Sequence, residues 1–177
     1  MITAPWVAHP EKVTKTQDEL TFRKPEISDG NQVNALIESC PPLDTNSAYC
    51  NFLQASHFSD TCVLAEKDGE IAGFVSAYLK PSSHPNRPVL FIWQVAVAEN
   101  SRGCGLAYRM IKSLLARECV AGVAAIETTI TKDNHGSWNL FRKDGEEGRV
   151  SVFLDKENHF DGEHDSEYLF HIPLAMS

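Results

Sequence analysis

Arg102-Gly103-Cys104-Gly105-Leu106-Ala107 follows closely on the apolar run 89–97, and its small residues let the backbone approach a ligand. Leu106, Met110 and Leu114 then repeat every four residues, with Ile111 and Leu115 beside them, so a helix opens where the glycines end. The first N–H groups of such a helix have no internal partner and carry the positive end of its dipole. Strand, glycine turn and helix start together make an anion site suited to a pyrophosphate, and Arg102 and Arg109 add positive charge. Three other readings share the glycines. A P-loop needs GxxxxGK[ST], and neither the spacing nor the Lys is present. A dinucleotide fingerprint needs a third glycine where Tyr108 stands. A plain strand-to-helix turn asks for nothing more, and on glycines alone it stands level with the anion site.

A second pattern is a lone carboxylate. Glu127 interrupts the β-branched run 124–131, where it is either paired with a surface lysine or part of a site. The thiols offer less. Cys40, Cys50, Cys62, Cys104 and Cys119 are scattered without a CxxC pair, which argues against a disulfide framework or zinc site and fits a reducing cytoplasm. No His is placed to activate Cys104 as a nucleophile. His159 and His164, five apart in a loop, are unspecific as metal ligands, so no metal is expected.

These residues must be positioned by a larger frame. Residues 20–24 read as a strand, and Asp29 as the cap of a helix carrying Val33, Leu36 and Ile37 that stops before Pro41. A second helix follows Asn46, with Tyr49, Leu53 and His57 four apart. Strands at 61–66 and 71–79 flank a Lys67-Asp68-Gly69-Glu70 turn, and 81–88 is a loop. The run 89–97 is unbroken enough for a central strand covered on both faces. Residues 137–141 begin a short helix, and 150–154 with 168–172 form a terminal strand pair. The predicted order is β-α-α-β-β-β-α-β-α-β-β, an α/β fold in one domain over 20–177 behind a flexible tail, 1–19.

Composition narrows the class. Twenty-four acids against 16 bases leave a formal charge of −8, with no Lys/Arg-rich run, so nucleic acid is an unsuitable partner. The surplus acid falls between Asp144 and Glu167, a solvated surface or a field for a cationic substrate. No stretch is apolar and long enough for a signal peptide or membrane span, so a cytoplasmic protein is expected.

Arg102-x-x-Gly105-x-Ala107, placed after a valine-rich strand, resembles the [R/Q]xxGx[G/A] signature of the GNAT superfamily of acetyltransferases. Asn134-x-x-Ser137-x-x-Leu140-Phe141 resembles that family's NxxA/SxxLY segment. The resemblance implies an acetyl-CoA-dependent enzyme on a mixed sheet of about seven strands flanked by about four helices and splayed at the fourth strand. It implies that the backbone from Arg102 through Gly103, Cys104, Gly105 and Leu106 to Ala107 holds the pyrophosphate. A bulge near Val95, Ala96 and Val97 would open the strand to the pantetheine arm and polarise the thioester carbonyl, and Asn134 would reach the cofactor. Phe141 takes the place at which many GNAT enzymes carry the Tyr that protonates the leaving thiolate. Either Tyr49 serves instead or the thiolate leaves unassisted, which a thiol of pKa about 8.5 tolerates.

The blocks 40–51, 91–97, 127–134 and 159–168 further resemble the diaminobutyrate acetyltransferases of ectoine biosynthesis, over roughly residues 22–174. That resemblance implies a homodimer acetylating the γ-amine of L-2,4-diaminobutyrate. This substrate carries two ammonium groups and a carboxylate, so its pocket calls for acids, an aromatic wall and hydroxyl donors. Asp44 and Glu127 supply acids, Trp93 a wall, and Ser47, Thr128 and Thr129 hydroxyls, while His164 matches the family's ending. Glu127 is the expected base, acting through water, and Asp44 the partner of the α-ammonium. A peptide acetyltransferase and a non-catalytic acyl-CoA sensor are the rival expectations.

Overall fold

The computed structural model describes residues 20–82, 87–144, 151–156 and 167–174; the tail 1–19 and the segment with His159 and His164 lie outside them. Asp68 and Gly69 take φ values of 54° and 80°, the left-handed pair that a tight hairpin turn requires. They join β2 (Val63–Lys67) to β3 (Glu70–Lys80) as the sequence predicts. β1 (Leu20–Arg23) adds to β2, and β4 (Val89–Val97) to β3, both antiparallel. β5 (Ala125–Thr131) meets β4 in parallel, and β6 (Ser151–Lys156) and β7 (Glu167–Pro173) complete a seven-stranded mixed sheet of order β1-β2-β3-β4-β5-β7-β6. With α1 (Gly30–Glu38), α2 (Ala48–Ser56), α3 (Leu106–Leu115) and α4 (His135–Asp144), the predicted element order is reproduced.

Both faces of the sheet are covered. Leu106, Met110, Ile111 and Leu114 of α3 pack on Val75, Ala77, Leu90, Ile92, Ile126 and Ile130. Val33, Leu36 and Ile37 of α1 pack on Leu64, Phe74 and Ala96 of the opposite face. Gly73 leaves room for the tip of the Met110 side chain of α3, which a Cβ there would approach to 2.8 Å.

Two expectations are corrected. Asp29 does not cap α1 with its side chain. A 3-10 turn at Ile27–Asp29 runs straight into the helix, so Asp29 already has helical dihedrals, whereas a capping residue is extended. Its carboxylate accepts instead from both terminal nitrogens of Arg23, at 2.7 and 2.9 Å, and from the Glu26 N–H. In α2 the inward face is Asn51, Gln54 and Ala55 rather than the Tyr49-Leu53-His57 stripe. Ser47 caps that helix, accepting from the Cys50 N–H at 3.2 Å.

Candidate active site

Strand β4 parts from β5 after three rungs. Val89, Leu90 and Phe91 pair with Ala125, Ile126 and Glu127, and beyond Phe91 the edge of β4 facing β5 has no strand partner. The other edge keeps its ladder, with Val95, Ala96 and Val97 opposite Val75, Phe74 and Gly73. The bulge lies earlier than the sequence suggests. Ala77 pairs with Ile92 and Ser76 with Gln94, so Trp93 is the extra residue. Residues 92–97 thus offer a row of backbone donors and acceptors along an open wedge, the requirement of an extended, amide-bearing arm.

The glycine turn closes the wide end of β4. Gly103 and Gly105 take φ values of 77° and 74° with open space around the Cβ position, so backbone conformation rather than crowding selects glycine. Gly105 is the N-cap of α3 without a side-chain cap, and the first helical bond runs from the Arg109 N–H to its carbonyl. The N–H groups of Leu106, Ala107 and Tyr108 are therefore left to an anion. Arg102 folds back along the surface onto β4: its Nε donates to the Val97 carbonyl at 3.0 Å and a terminal nitrogen to Cys40 Sγ at 3.6 Å. Arg109 lies over the Phe22 ring, so neither guanidinium is aimed at the turn as the sequence suggests.

On the α1/α2 side of the sheet, beside the closed end of the wedge, four strands place one row of side chains: Tyr78, Phe91, Glu127 and His171 are in register across β3, β4, β5 and β7. The Glu127 carboxylate is nearly buried and holds two partners, His171 Nδ1 at 2.7 Å on one oxygen and the Lys80 ammonium on the other. Burial alone would push its pKa up; the hydrogen bonds from Lys80 and His171 outweigh it and hold the carboxyl below its ordinary range. Trp93, 43% exposed at the bulge, meets the Tyr78 ring edge-on at 6.4 Å and so stands outside the core. Next to it, Gln94 Nε2 donates to the Asp44 carbonyl at 2.7 Å, which ties the loop bearing the exposed Asp44 carboxylate onto β4.

Some predicted residues are not brought to this face. Strand alternation turns Thr128 to the other side, buried among Ile126 and Ile130, and Thr129 is the hydroxyl beside Glu127. Phe141 is 2% exposed in the core under α3, where packing asks for an apolar residue. Asn134 Oδ1 accepts from the Ser137 N–H, so it caps α4. Tyr49 is 72% exposed at the start of α2. Lys80, Phe91, Gln94 and His171 are absent from the sequence-based site, because only strand register sets them beside Glu127 and Asp44. Among the described residues no group of three or more His, Cys, Asp or Glu converges as for a metal ion.

A strand splayed beside a glycine turn and a free helix N-terminus defines the GNAT class, and the acetyltransferase (GNAT) family matches residues 31–145. The L-2,4-diaminobutyric acid acetyltransferase of Vibrio parahaemolyticus is 54% identical over 179 residues, covering 98% of this chain and 97% of that protein. That of Halomonas elongata is 45% identical over 159 residues, covering 86% and 80%. The chain belongs to the GNAT family and, within it, to the L-2,4-diaminobutyric acid acetyltransferases. A diaminobutyrate acetyltransferase from Paenibacillus lautus, solved in complex with its substrate L-2,4-diaminobutyric acid and coenzyme A, superposes with a TM-score of 0.82 at 38% identity, covering 91% of this chain and all of that one.

Proposed function

We infer that the protein transfers the acetyl group of acetyl-CoA to the γ-amine of L-2,4-diaminobutyrate, giving N4-acetyl-L-2,4-diaminobutyrate for ectoine biosynthesis. The observation that carries the reading is the pairing of Glu127 with Phe91 beside the wedge, with Trp93 edge-on to the neighbouring Tyr78: a carboxylate and aromatic faces suit an alkylammonium. Acetyl-CoA supplies an activated carbonyl and a good leaving group. Residues 102–107 hold its diphosphate through backbone N–H groups, and the open edge at 92–97 holds its amide-bearing arm and polarises the carbonyl.

The chain's remaining task is the proton. An alkylamine of pKa near 10.4 costs roughly 4 to 5 kcal/mol to present neutral at pH 7. Glu127 draws the reacting ammonium to the site and takes its proton through water, and the half-exposed His171 on its other oxygen leads the proton to solvent. Asp44, held by its carbonyl next to Trp93, pairs with the α-ammonium and so selects γ attack. Tyr49 and His164 are further candidates for the amine, Asn134 for the cofactor, and Thr129 is the hydroxyl beside Glu127. The catalytic unit is one domain over 20–177, acting as a homodimer in the cytoplasm; five unpaired cysteines support the compartment.

Coenzyme A release, measured with L-2,4-diaminobutyrate beside ornithine, lysine, spermidine and amino-terminal peptides, tests the reading. Diaminobutyrate should give the highest kcat/KM and a product acetylated at N4. Preference for a peptide would transfer the assignment to protein acetylation, and binding of acetyl-CoA without release with any amine would leave a sensor.

A further inference from the structure

We propose that the ammonium of Lys80 occupies, in the substrate-free protein, the place taken by the reacting ammonium of the diamine, so that Lys80 is a displaceable competitor built into the acceptor site. The inference rests on the acetyl-transfer reading above and names the contacts of one end of its substrate. Lys80 Nζ touches Glu127 Oε2 and lies 5.3 Å from the centre of the Phe91 ring. A carboxylate at one side and an aromatic face at the other are what a primary alkylammonium seeks, whether it ends a lysine or a free diamine.

The two partners differ in freedom. The Glu127 side chain is 10% exposed, on a strand paired along both edges at that rung, and cannot leave. Lys80 ends β3, is 35% exposed, and carries a flexible four-carbon stem that reaches water by a change of rotamer. A buried carboxylate left without a cation is strongly unfavourable, so the lysine keeps Glu127 paired between turnovers. An arriving diamine exchanges one ion pair for another, which weakens its net binding and eases departure of the product, whose acetylated nitrogen has no charge to hold. His171 stays on Oε1 throughout.

Protein labelled with nitrogen-15 at lysine Nζ provides the test, the Lys80 ammonium signal being assigned from its loss in Lys80→Met. Titrating L-2,4-diaminobutyrate into the wild-type protein should move that signal to the position of solvated lysines, along the saturation curve of the ligand measured by calorimetry. A Lys80 signal unchanged at saturation overturns the proposal. Kinetically, Lys80→Met should lower the KM for diaminobutyrate about five-fold, with the KM for acetyl-CoA as reference. A KM for diaminobutyrate that stays or rises overturns it too. Coenzyme A release from the same wild-type sample separates the two levels: release with a static Lys80 signal sinks this inference alone, and no release sinks the acetyl-transfer reading.

Discussion

Lys80 and His171 hold the Glu127 carboxyl below its ordinary range against the burial that pushes it up, so it stays charged through the neutral range. Its role at the reacting amine predicts that Glu127→Gln, which keeps the shape, lowers kcat about 100-fold or more while calorimetry finds acetyl-CoA binding intact. A kcat within a few-fold of wild type would remove the residue from the chemistry. The thiols give a second handle. Cys62 is buried and pushed up to about 12, so it is inert in the folded protein, whereas Cys104 lies exposed within the glycine turn and Cys119 is exposed far from it. Maleimide should label Cys104 and Cys119, and acetyl-CoA should slow labelling of Cys104 alone. Equal rates with and without it would place the diphosphate elsewhere.

The turn between β4 and α3 works through its backbone. Gly105 combines a positive φ with the last position before three free N–H groups, so any side chain there strains the site it should build. Gly105→Ala is expected to cost about 1 to 2 kcal/mol of stability, read by urea unfolding, and to raise the KM for acetyl-CoA with little change in that for the amine. A change confined to the amine would break the link between this turn and the cofactor. The same element shows how far sequence reading reached. The strand, turn and helix were legible because periodicity and glycine spacing are local. The bulge at Trp93 and the return of Arg102 onto β4 were not, since strand pairing and the position of Val97 and Cys40 decide them.

Across the molecule, β1 is locked to the rest by Arg23, which bridges Asp29 before α1 and Glu66 on β2. The hydrogen bonds from Arg23 hold the Asp29 carboxyl below its ordinary range against the cost of burial. A carboxylate with a lower pKa folded than unfolded stabilises fully above its unfolded value, about 3.9, and loses that contribution as pH falls through the folded value. Asp29→Asn should therefore unfold at lower urea than wild type at pH 7, by on the order of 1 to 2 kcal/mol given the partly exposed partner. The gap should narrow as pH drops below about 4. A gap independent of pH would mean that the amide is lost for steric rather than electrostatic reasons.

The sequence by itself determined the element order, the glycine turn with its free helix start, and Glu127 as the acid out of place, because each is written in neighbouring residues or a short period. Tertiary structure alone decided which side chains Glu127 meets. Lys80, Phe91 and His171 come from strands distant in the chain, and a register shift of one residue would turn each to the opposite face, as alternation turns Thr128. Register is a property of the assembled sheet, so the pocket's charge pattern appears only once the strands have paired.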